Sequence, residues 1–195
     1  MENTKKRAQT VKKIKDALMQ LFQQMDYQKI SVTMLCKQAG LHRSTFYLYY
    51  NSIDEVLREI EHDILNEIQL YADQMNDFRD AKTPEEMKKI YQDNEQRMLE
   101  FYKWQYSIRD YLNPLLGAYG DPYFIRHYEK IIYDNTLPAL DFIKYDYKKH
   151  PYVMKYITGG ILKTNQEWLQ NGDISIDELV KLQRDIVFNI PLLHS

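Results

Sequence analysis

The chain has 195 residues, 28% of them charged, with a formal net charge of −2 and a single cysteine, Cys36. One cysteine excludes an internal disulfide, and no apolar run approaches the length that crosses a membrane. The charged N-terminus is also unlike a secretory signal. These properties predict a cytoplasmic protein with no membrane partner, in which Cys36 is a small buried hydrophobic residue.

Positive charge is concentrated at the N-terminus. Residues 1–50 hold nine Lys and Arg against three Asp and Glu, whereas the rest of the chain holds 17 against 25. A basic module on an acidic body directs the attraction for phosphate groups to one end of the chain. The alternative is that these cations only solubilise the first helix, and this interpretation stays open for Lys12 and Lys15.

The first predicted element is a helix that ends near Phe22. Its apolar residues recur at helical spacing and form one continuous face, as expected for a helix that packs on a core. They are Val11, Ile14, Leu18, Leu21, Phe22 and Met25.

Residues 31–50 have the pattern of a helix-turn-helix. Ser31 is a good N-cap for a first helix, and Gly40 can adopt the left-handed conformation that ends it and turns the chain. The second helix, predicted from His42 or Arg43 through Tyr49, carries hydrogen-bonding side chains where a core helix would carry aliphatic ones. A helix of this kind is suited to enter a DNA major groove. Its exposed residues are predicted to be His42, Arg43, Ser44, Thr45, Tyr47 and Tyr49.

Almost all of the remaining chain also has helical patterns. A long fourth helix from Ile53 to Met75 would measure roughly 34 Å. Pro138 lies inside a helical run and is expected to kink it. Capping signals begin three later helices, at Thr83-Pro84-Glu85-Glu86, at Asp121-Pro122 and at Ser175-Ile176-Asp177-Glu178, and Pro191 marks the end of the last one. No alternating strand pattern of useful length is present, so the predicted fold is all-α.

Residues from about Arg7 to Leu65 resemble the N-terminal domain of the TetR family of transcriptional regulators. The resemblance implies a three-helix DNA-binding domain at residues 1–52, which a long helix joins to a helical effector-binding and dimerisation domain at 53–195. The matching features are Leu21-Phe22, Asp26-Tyr27, Ser31-Val32, Ala39-Gly40-Leu41, Thr45 through Tyr50, Ser52 and Asp54-Glu55-Val56-Leu57.

Three positions depart from the family pattern. Asp26 replaces the usual glycine after the first helix and tolerates a left-handed C-cap less well. The usual small residue after the recognition-helix lysine or arginine is Ser44 in this chain. Ile53 replaces a lysine that commonly anchors a phosphate, so this contact is either lost or taken over by Asn51 or Ser52.

The resemblance also assigns candidate DNA contacts. Thr45, Tyr47 and Tyr49 match family positions that contact backbone phosphates or nearby bases, and Thr33 matches a contact position on the preceding helix. Arg43 lies at the groove-facing start of the second helix, between His42 and Ser44, and could pair with guanine. The implied partner is double-stranded operator DNA.

The C-terminal region, with Gly159-Gly160 and the segment from Glu167 to Gly172, resembles one TetR subgroup. In that subgroup, the last two helices pack against their copies in a second subunit. Two mid-helix glycines cost on the order of 1 kcal/mol each relative to alanine, which the close approach of another helix would offset. One helix-turn-helix reads too few base pairs for useful specificity, which also favours a homodimer. The predicted interface residues are Gly159, Gly160, Leu179, Leu182 and Ile186, with ordinary intrachain core as the alternative for the last helix.

The middle of the chain is rich in aromatic residues. Tyrosine provides apolar area together with a hydroxyl, which suits a small-molecule pocket and equally suits a plain aromatic core. The TetR resemblance implies a pocket for an effector. The candidate lining residues are Tyr102, Tyr106, Tyr128 and Trp168.

The sequence offers little support for catalysis. The five histidines lack metal-ligand spacing, and no glycine-rich phosphate loop or nucleophile elbow is present. We therefore expect no enzymatic activity, cofactor or metal. The expected function is that of a dimeric bacterial-type repressor released by a small apolar or aromatic effector. The alternatives are a DNA-binding activator controlled by a partner protein, and an all-helical interaction protein or enzyme that does not bind DNA.

Overall fold

The computed structural model describes residues 2–75, 82–142, 146 and 151–189, and the regular structure in these ranges is entirely helical. The all-α prediction is confirmed. The helices are α1 (Glu2–Phe22), α2 (Val32–Ala39), α3 (Arg43–Tyr47), α4 (Ile53–Asp73), α5 (Pro84–Ser107), α6 (Arg109–Leu116), α7 (Pro122–Phe142), α8 (Pro151–Asn171) and α9 (Ile176–Asn189). A short 3-10 turn covers Tyr27–Lys29. Pro191 lies outside the described residues. No described helix is both long and apolar enough to span a membrane.

The capping signals act as predicted at several helix starts. The Ser31 hydroxyl accepts a hydrogen bond from the Met34 amide at 3.2 Å. Thr83 and Glu86 form a reciprocal capping box at the start of α5. Ser175 and Glu178 cap α9 in the same way. These bonds satisfy amides that would otherwise lack a partner in the first turn of each helix.

The chain divides into two compact units. The first contains Met1–Asn66 and Asp110–Phe124, and the second contains Glu67–Arg109 and Ile125–Ser195. The functional boundary at residue 52 stays a prediction.

The first unit has a core built by α1, α2, α3 and the first half of α4. Helix α1 packs against α2, and α2 packs against α3. The completely buried side chains include Ile14, Leu18, Leu35, Phe46, Val56 and Leu57. Cys36 is buried and not in a disulfide, in agreement with the sequence-based prediction.

The connection after α1 differs from the expected left-handed C-cap. Asp26 has φ −53° and ψ 131°, so it lies in the extended region. Its carboxylate accepts a hydrogen bond from the Gln28 amide at 2.9 Å and thereby caps the 3-10 turn. An aspartate can begin a turn with its side chain where glycine would use its backbone freedom, and this accounts for the departure from the family pattern.

A buried charged cluster joins α4 to the start of α7 within the first unit. The Arg58 guanidinium donates to the Glu61 carboxylate and lies 3.2 Å from Asp121 Oδ2. Glu61 is 0% exposed, and its Oε1 has no hydrogen-bond partner. Burial and the nearby Asp121 charge together raise the pKa of Glu61 to about 7, although Arg58 opposes them. Near neutral pH the cluster therefore holds a proton on Glu61 for a substantial fraction of the time.

The second unit is built from α5, α7, α8, α9 and the end of α4. Helices α5 and α8 both pack against α9. One apolar cluster contains Leu140, Met154, Ile157 and Ile161. Helix α7 continues past Pro138 to Phe142, and the kink at this proline stays a prediction.

Candidate nucleic-acid interface and ligand cavity

The α3 helix is a short element held in place by one aromatic anchor. Phe46 is 0% exposed, and its ring contacts Tyr47 and Tyr50 at centroid distances of 5.4 and 6.1 Å. Gly40 has φ +65° and ψ 38°, the left-handed conformation predicted for the turn before α3. The helix ends at Tyr47, two residues earlier than predicted, and Leu48 forms its C-cap. Burial of Phe46 leaves the opposite face of α3 available to a partner.

The predicted DNA-contact residues lie mainly at the surface. Six of them lie on α3 or beside it, and Thr33 is on α2, which packs against α3. The exposed members are Thr33, His42, Arg43, Ser44 and Tyr47, and the half-buried members are Thr45 and Tyr49. The structure therefore gives these side chains the accessibility that DNA contacts require, and their roles stay predictions.

Two arginines rest on tyrosine rings at this surface. Arg43 donates to the Tyr47 hydroxyl at 3.5 Å, and its guanidinium lies 6.0 Å from the ring centroid. Arg7, which was not among the predicted contacts, lies 5.6 Å from the ring centroid of Tyr49. Exposed cation–π contacts of this kind are weak, so either guanidinium can move to a base or a phosphate at small cost.

The two residues before Ile53, which replaces the family lysine, take part in capping α4. The Asn51 backbone and side-chain amides donate to the Glu55 carboxylate at 2.7 and 3.1 Å. The Ser52 hydroxyl accepts from the Glu55 amide at 3.2 Å. Both candidate substitutes for the lysine therefore stabilise the start of α4, and a role for either in phosphate binding stays a prediction.

Two N-terminal lysines have acidic partners within the chain. Lys12 lies 2.7 Å from Asp16, and Lys15 lies 2.9 and 2.7 Å from Glu59 and Asp63. These ion pairs compensate the lysine charges locally. They favour a structural role for Lys12 and Lys15 over contact with phosphate.

A largely apolar cavity of about 290 Å³ lies inside the second unit. Its walls come from the end of α4 and from α5, α7, α8 and α9, with side chains such as Ile68, Met98, Phe101, Ile132 and Val187. One water occupies about 30 Å³ in the liquid. The cavity is therefore large enough for a small organic ligand.

Five buried polar side chains from four helices form a hydrogen-bonded chain beside this cavity, here called the polar network. Tyr102 donates to Gln183, and Gln183 donates to Asn165. Asn165 donates to the Tyr128 hydroxyl at 3.3 Å, and Tyr128 donates to Gln105 Oε1 at 2.7 Å. All members except Gln105 line the cavity. Burial raises the pKa of both tyrosine hydroxyls, so they remain neutral.

The four predicted pocket residues have two different locations. Tyr102 and Tyr128 line the cavity, whereas Tyr106 and Trp168 are absent from its lining. Trp168 is buried, packs against Tyr106 at 5.3 Å and donates from Nε1 to the Ile174 carbonyl at 3.0 Å. These contacts give Trp168 a structural place at the connection between α8 and α9.

Asn165 and Gln183 line the cavity but were not among its predicted residues. A signal was present, because each lies at helical spacing from apolar core residues. Asn165 follows Ile161 by four positions, and Gln183 follows Leu179 by four positions. A polar residue on an otherwise apolar helix face indicates a buried hydrogen-bonding group.

Comparisons with known proteins agree with this architecture. Residues 14–60 match the model of the family described as bacterial regulatory proteins, tetR family. Comparison with curated protein sequences finds no match.

Three solved structures are similar over nearly the whole chain. The TetR transcriptional regulator from Streptococcus agalactiae 2603V is 21% identical, with 96% of this chain and 98% of that chain covered and a TM-score of 0.59. The dihydroxyacetone kinase operon activator DhaS is 16% identical, with coverages of 94% and 97% and a TM-score of 0.56. The fatty acid degradation regulator FadR from Bacillus halodurans is 16% identical, with coverages of 93% and 96% and a TM-score of 0.53.

The structural similarities establish the fold of the whole chain, and the family match covers the helix-turn-helix. The capped α2, the left-handed Gly40 and the exposed polar side chains of α3 supply the expected geometry in that segment. The chain therefore carries, at residues 14–60, a helix-turn-helix segment that matches the bacterial tetR regulatory family, within a fold shared with solved TetR-type regulators.

Proposed function

We propose that the protein is a homodimeric repressor, acting in the bacterial cytoplasm, that binds a pseudo-palindromic operator and is released by a small apolar effector. The observation that carries this proposal is the pairing of an exposed recognition helix in one unit with a ligand-sized apolar cavity in the other. Recognition requires the first feature, and control by a small molecule requires the second.

Contact with DNA is proposed to combine positioning and base recognition on α3. Thr45 and Tyr47 would hold the helix on backbone phosphates, and Arg43 would pair with guanine in the major groove. Thr33, His42, Ser44 and Tyr49 complete the proposed surface. Arg43 is exposed, and its contacts with Tyr47 are weak, so it can turn toward a base.

The first prediction separates these two kinds of contact. Tyr47→Phe and Thr45→Ala are expected to weaken binding to all sequences similarly. Arg43→Ala should instead cost roughly 1–3 kcal/mol at one base pair of each half-site and relax the preference there. Mobility shifts against an operator series mutated one base pair at a time measure both effects.

Lys130→Ala is a matched control because it removes an exposed cation from α7, outside the proposed surface. It should leave operator affinity unchanged. Unchanged affinity in all three α3 variants would remove the assignment of α3 as the recognition helix.

Dimerisation is proposed to use α8 and α9. A Cβ atom added to Gly159 or Gly160 would meet no other part of the described chain within 4 Å, so close packing within the described chain does not require these glycines. Leu182 is 44% exposed and Ile186 is half-buried, so part of each side chain is accessible for contact with a second copy of the chain. Leu179 is 0% exposed and belongs to the core of its own chain, so we omit it from the proposed interface.

Control by an effector is proposed to act through two conformations of the dimer that differ in the spacing of their recognition helices. A ligand that binds one conformation more tightly shifts the equilibrium toward it. Coupling of 1–3 kcal/mol is usual and equals about 5–150-fold in operator affinity.

The second prediction tests the cavity as the effector site. Met98 lines the cavity and is half-buried, so Met98→Trp should fill part of the space without disturbing the helix-turn-helix. We expect this variant to bind the operator normally and to respond poorly to an effector found by thermal-shift screening. Operator release measured by fluorescence anisotropy provides the readout. An effector that acts equally well on Met98→Trp would place the binding site elsewhere.

The second candidate function is that of an activator controlled by a partner protein. It is favoured by one structural relative, whose name describes an operon activator, although that likeness concerns the fold alone. The cavity supports the small-molecule mechanism because a protein-controlled regulator needs no internal space of this size. A reporter gene behind the operator distinguishes the two signs of regulation, since deletion of a repressor raises expression and deletion of an activator lowers it.

A further inference from the structure

The polar network has a direction that bears on the chemistry of the ligand. From Tyr102 to Gln105, each of the first four groups donates one hydrogen to the next, and Gln105 only accepts. This order leaves one donor without an acceptor, because Gln105 Nε2 is buried and has no partner among the described residues. At the other end, the Tyr102 hydroxyl gives its hydrogen to Gln183 and has none left for a ligand.

The same five groups can bond in the opposite direction. Turning the three amides and rotating the two hydroxyls would let Gln105 donate to Tyr128, Tyr128 to Asn165, Asn165 to Gln183 and Gln183 to Tyr102. No helix has to move for this change, since each pair of neighbours stays the same. In the reversed network Gln105 Nε2 donates to the Tyr128 hydroxyl, and the side-chain carbonyl of Gln105 loses the hydrogen bond that it accepts from Tyr128. A buried carbonyl tolerates this better than a buried N–H does.

Reversal frees the Tyr102 hydroxyl to donate, and Tyr102 lines the cavity. Without a ligand the remaining acceptor beside this hydroxyl is the Asn165 amide, whose oxygen already accepts from Tyr128 in the reversed network, and this opposes the reversal. A ligand with an acceptor oxygen beside Tyr102 removes that obstacle, because both hydroxyl hydrogens of the reversed network then have an acceptor. A buried hydrogen-bonding site of this kind discriminates strongly against ligands that cannot complete it.

The charged groups of the lining favour an acceptor without a charge. Glu95 and Arg184 both line the cavity and pair with each other at 3.0 Å. Arg184 also bonds Asp185 at 3.0 Å. Arg184 is thus already compensated by two carboxylates, so a ligand carboxylate would add a third negative charge to this group or remain unpaired in an apolar space, and both are costly. A ketone, ester or amide oxygen avoids this cost.

We propose that the cavity binds an uncharged, mainly apolar molecule carrying a carbonyl oxygen, and that this oxygen accepts a hydrogen bond from Tyr102 in the reversed network. The inference rests on the proposed effector function of the cavity and specifies the ligand class. Hydrocarbon parts of the ligand contact the apolar walls, and the carbonyl provides selectivity.

Three probes of similar size test the ligand class by calorimetry on the full-length protein without DNA. They are hexanophenone, its hydrocarbon analogue hexylbenzene, and the carboxylate 6-phenylhexanoate. We expect hexanophenone to bind at least about tenfold more tightly than either of the others, as loss of one buried hydrogen bond implies. Equal binding of the ketone and the hydrocarbon, tightest binding of the carboxylate, or no binding of the ketone would each overturn the inference.

Variants distinguish the network from general apolar binding. Tyr102→Phe keeps the ring and removes the hydroxyl, so the ketone should lose its advantage over the hydrocarbon. Val187→Ala alters the apolar wall only and should weaken all three probes to a similar extent. Persistence of the full ketone advantage in Tyr102→Phe would contradict the proposed contact.

Gln105→Met tests the reversal itself, because Gln105 does not line the cavity. Methionine removes the acceptor that holds Tyr128 in the observed direction, so the reversed direction should become easier. The ketone advantage should therefore persist or grow, whereas a fall in this ratio would overturn the relay. Circular dichroism and thermal unfolding confirm that each variant is folded before its binding is compared.

Operator release is measured separately, so the two proposals can fail independently. Selective binding of hexanophenone without any operator release would contradict the effector function and leave the ligand class intact. Release by a charged or purely hydrocarbon effector, with no preference for the ketone, would contradict the ligand class and leave the effector function intact.

Discussion

Gly160→Leu is expected to convert the protein into a folded monomer that no longer retains its operator. Within the described chain, a Cβ atom added at this half-buried position meets nothing within 4 Å, so a side chain can leave the backbone here without a clash at its first atom. A second copy packed closely against the glycine would be displaced by the leucine side chain. Loss of the dimer removes the second half-site contact and with it most of the operator affinity.

Sedimentation equilibrium and circular dichroism measure these outcomes together. Wild-type protein should be dimeric and Gly160→Leu monomeric, with equal helical content. Gly160→Ala provides a graded comparison, because alanine would stabilise a solvent-exposed helix by about 1 kcal/mol. Increased thermal stability of Gly160→Ala with no change in association, or a monomeric wild type at micromolar concentration, would contradict the proposed interface.

Glu61→Gln is expected to remove a pH dependence of stability worth about 3 kcal/mol. The pKa of Glu61 is raised to about 7 by burial and by Asp121, whereas in the unfolded chain it has its ordinary value near 4.5. The native state therefore binds more protons than the unfolded state between these two pH values. The stability of the wild-type protein should fall as pH rises through this window.

Urea unfolding of wild type and Glu61→Gln at several pH values measures the effect. The difference in unfolding free energy should increase in favour of the variant from about pH 4.5 to 7 and stay constant above that. Asp121→Asn keeps a good N-cap for α7 and removes the neighbouring charge, so it should shrink the window by lowering the pKa of Glu61. Parallel wild-type and Glu61→Gln profiles would show that Glu61 does not hold the extra proton.

The helix caps could be predicted because their signals are local in the sequence. Ser31 caps α2 and Gly40 ends it in the left-handed conformation, and both roles follow from residue type and spacing. The capping boxes of α5 and α9 are equally local. The predicted C-terminal end of α3 was too late, because the pattern of aromatic residues continues after the helix ends at Tyr47.

The polar network and the Glu61 cluster could not be predicted because they depend on contacts between residues that are distant in the sequence. The polar network joins side chains from α5, α7, α8 and α9, and the Glu61 cluster joins α4 to Asp121. Leu179 and Leu182 belong to the same apolar stripe, yet one is fully buried and the other is 44% exposed. Periodicity identifies the apolar face of a helix, but only the packing shows which of its residues the chain itself covers.

Selection of genomic DNA fragments by the purified protein tests the central claim, sequence-specific operator binding through α3, most directly. The proposed function predicts an enriched inverted repeat whose half-site centres lie about one helical turn, or a multiple of it, apart. Binding to this repeat should weaken steeply as salt concentration rises. It should also be lost in the combined Arg43→Ala and Tyr47→Phe variant. Absence of any enriched sequence, or equal binding of that repeat by the double variant, would contradict the claim.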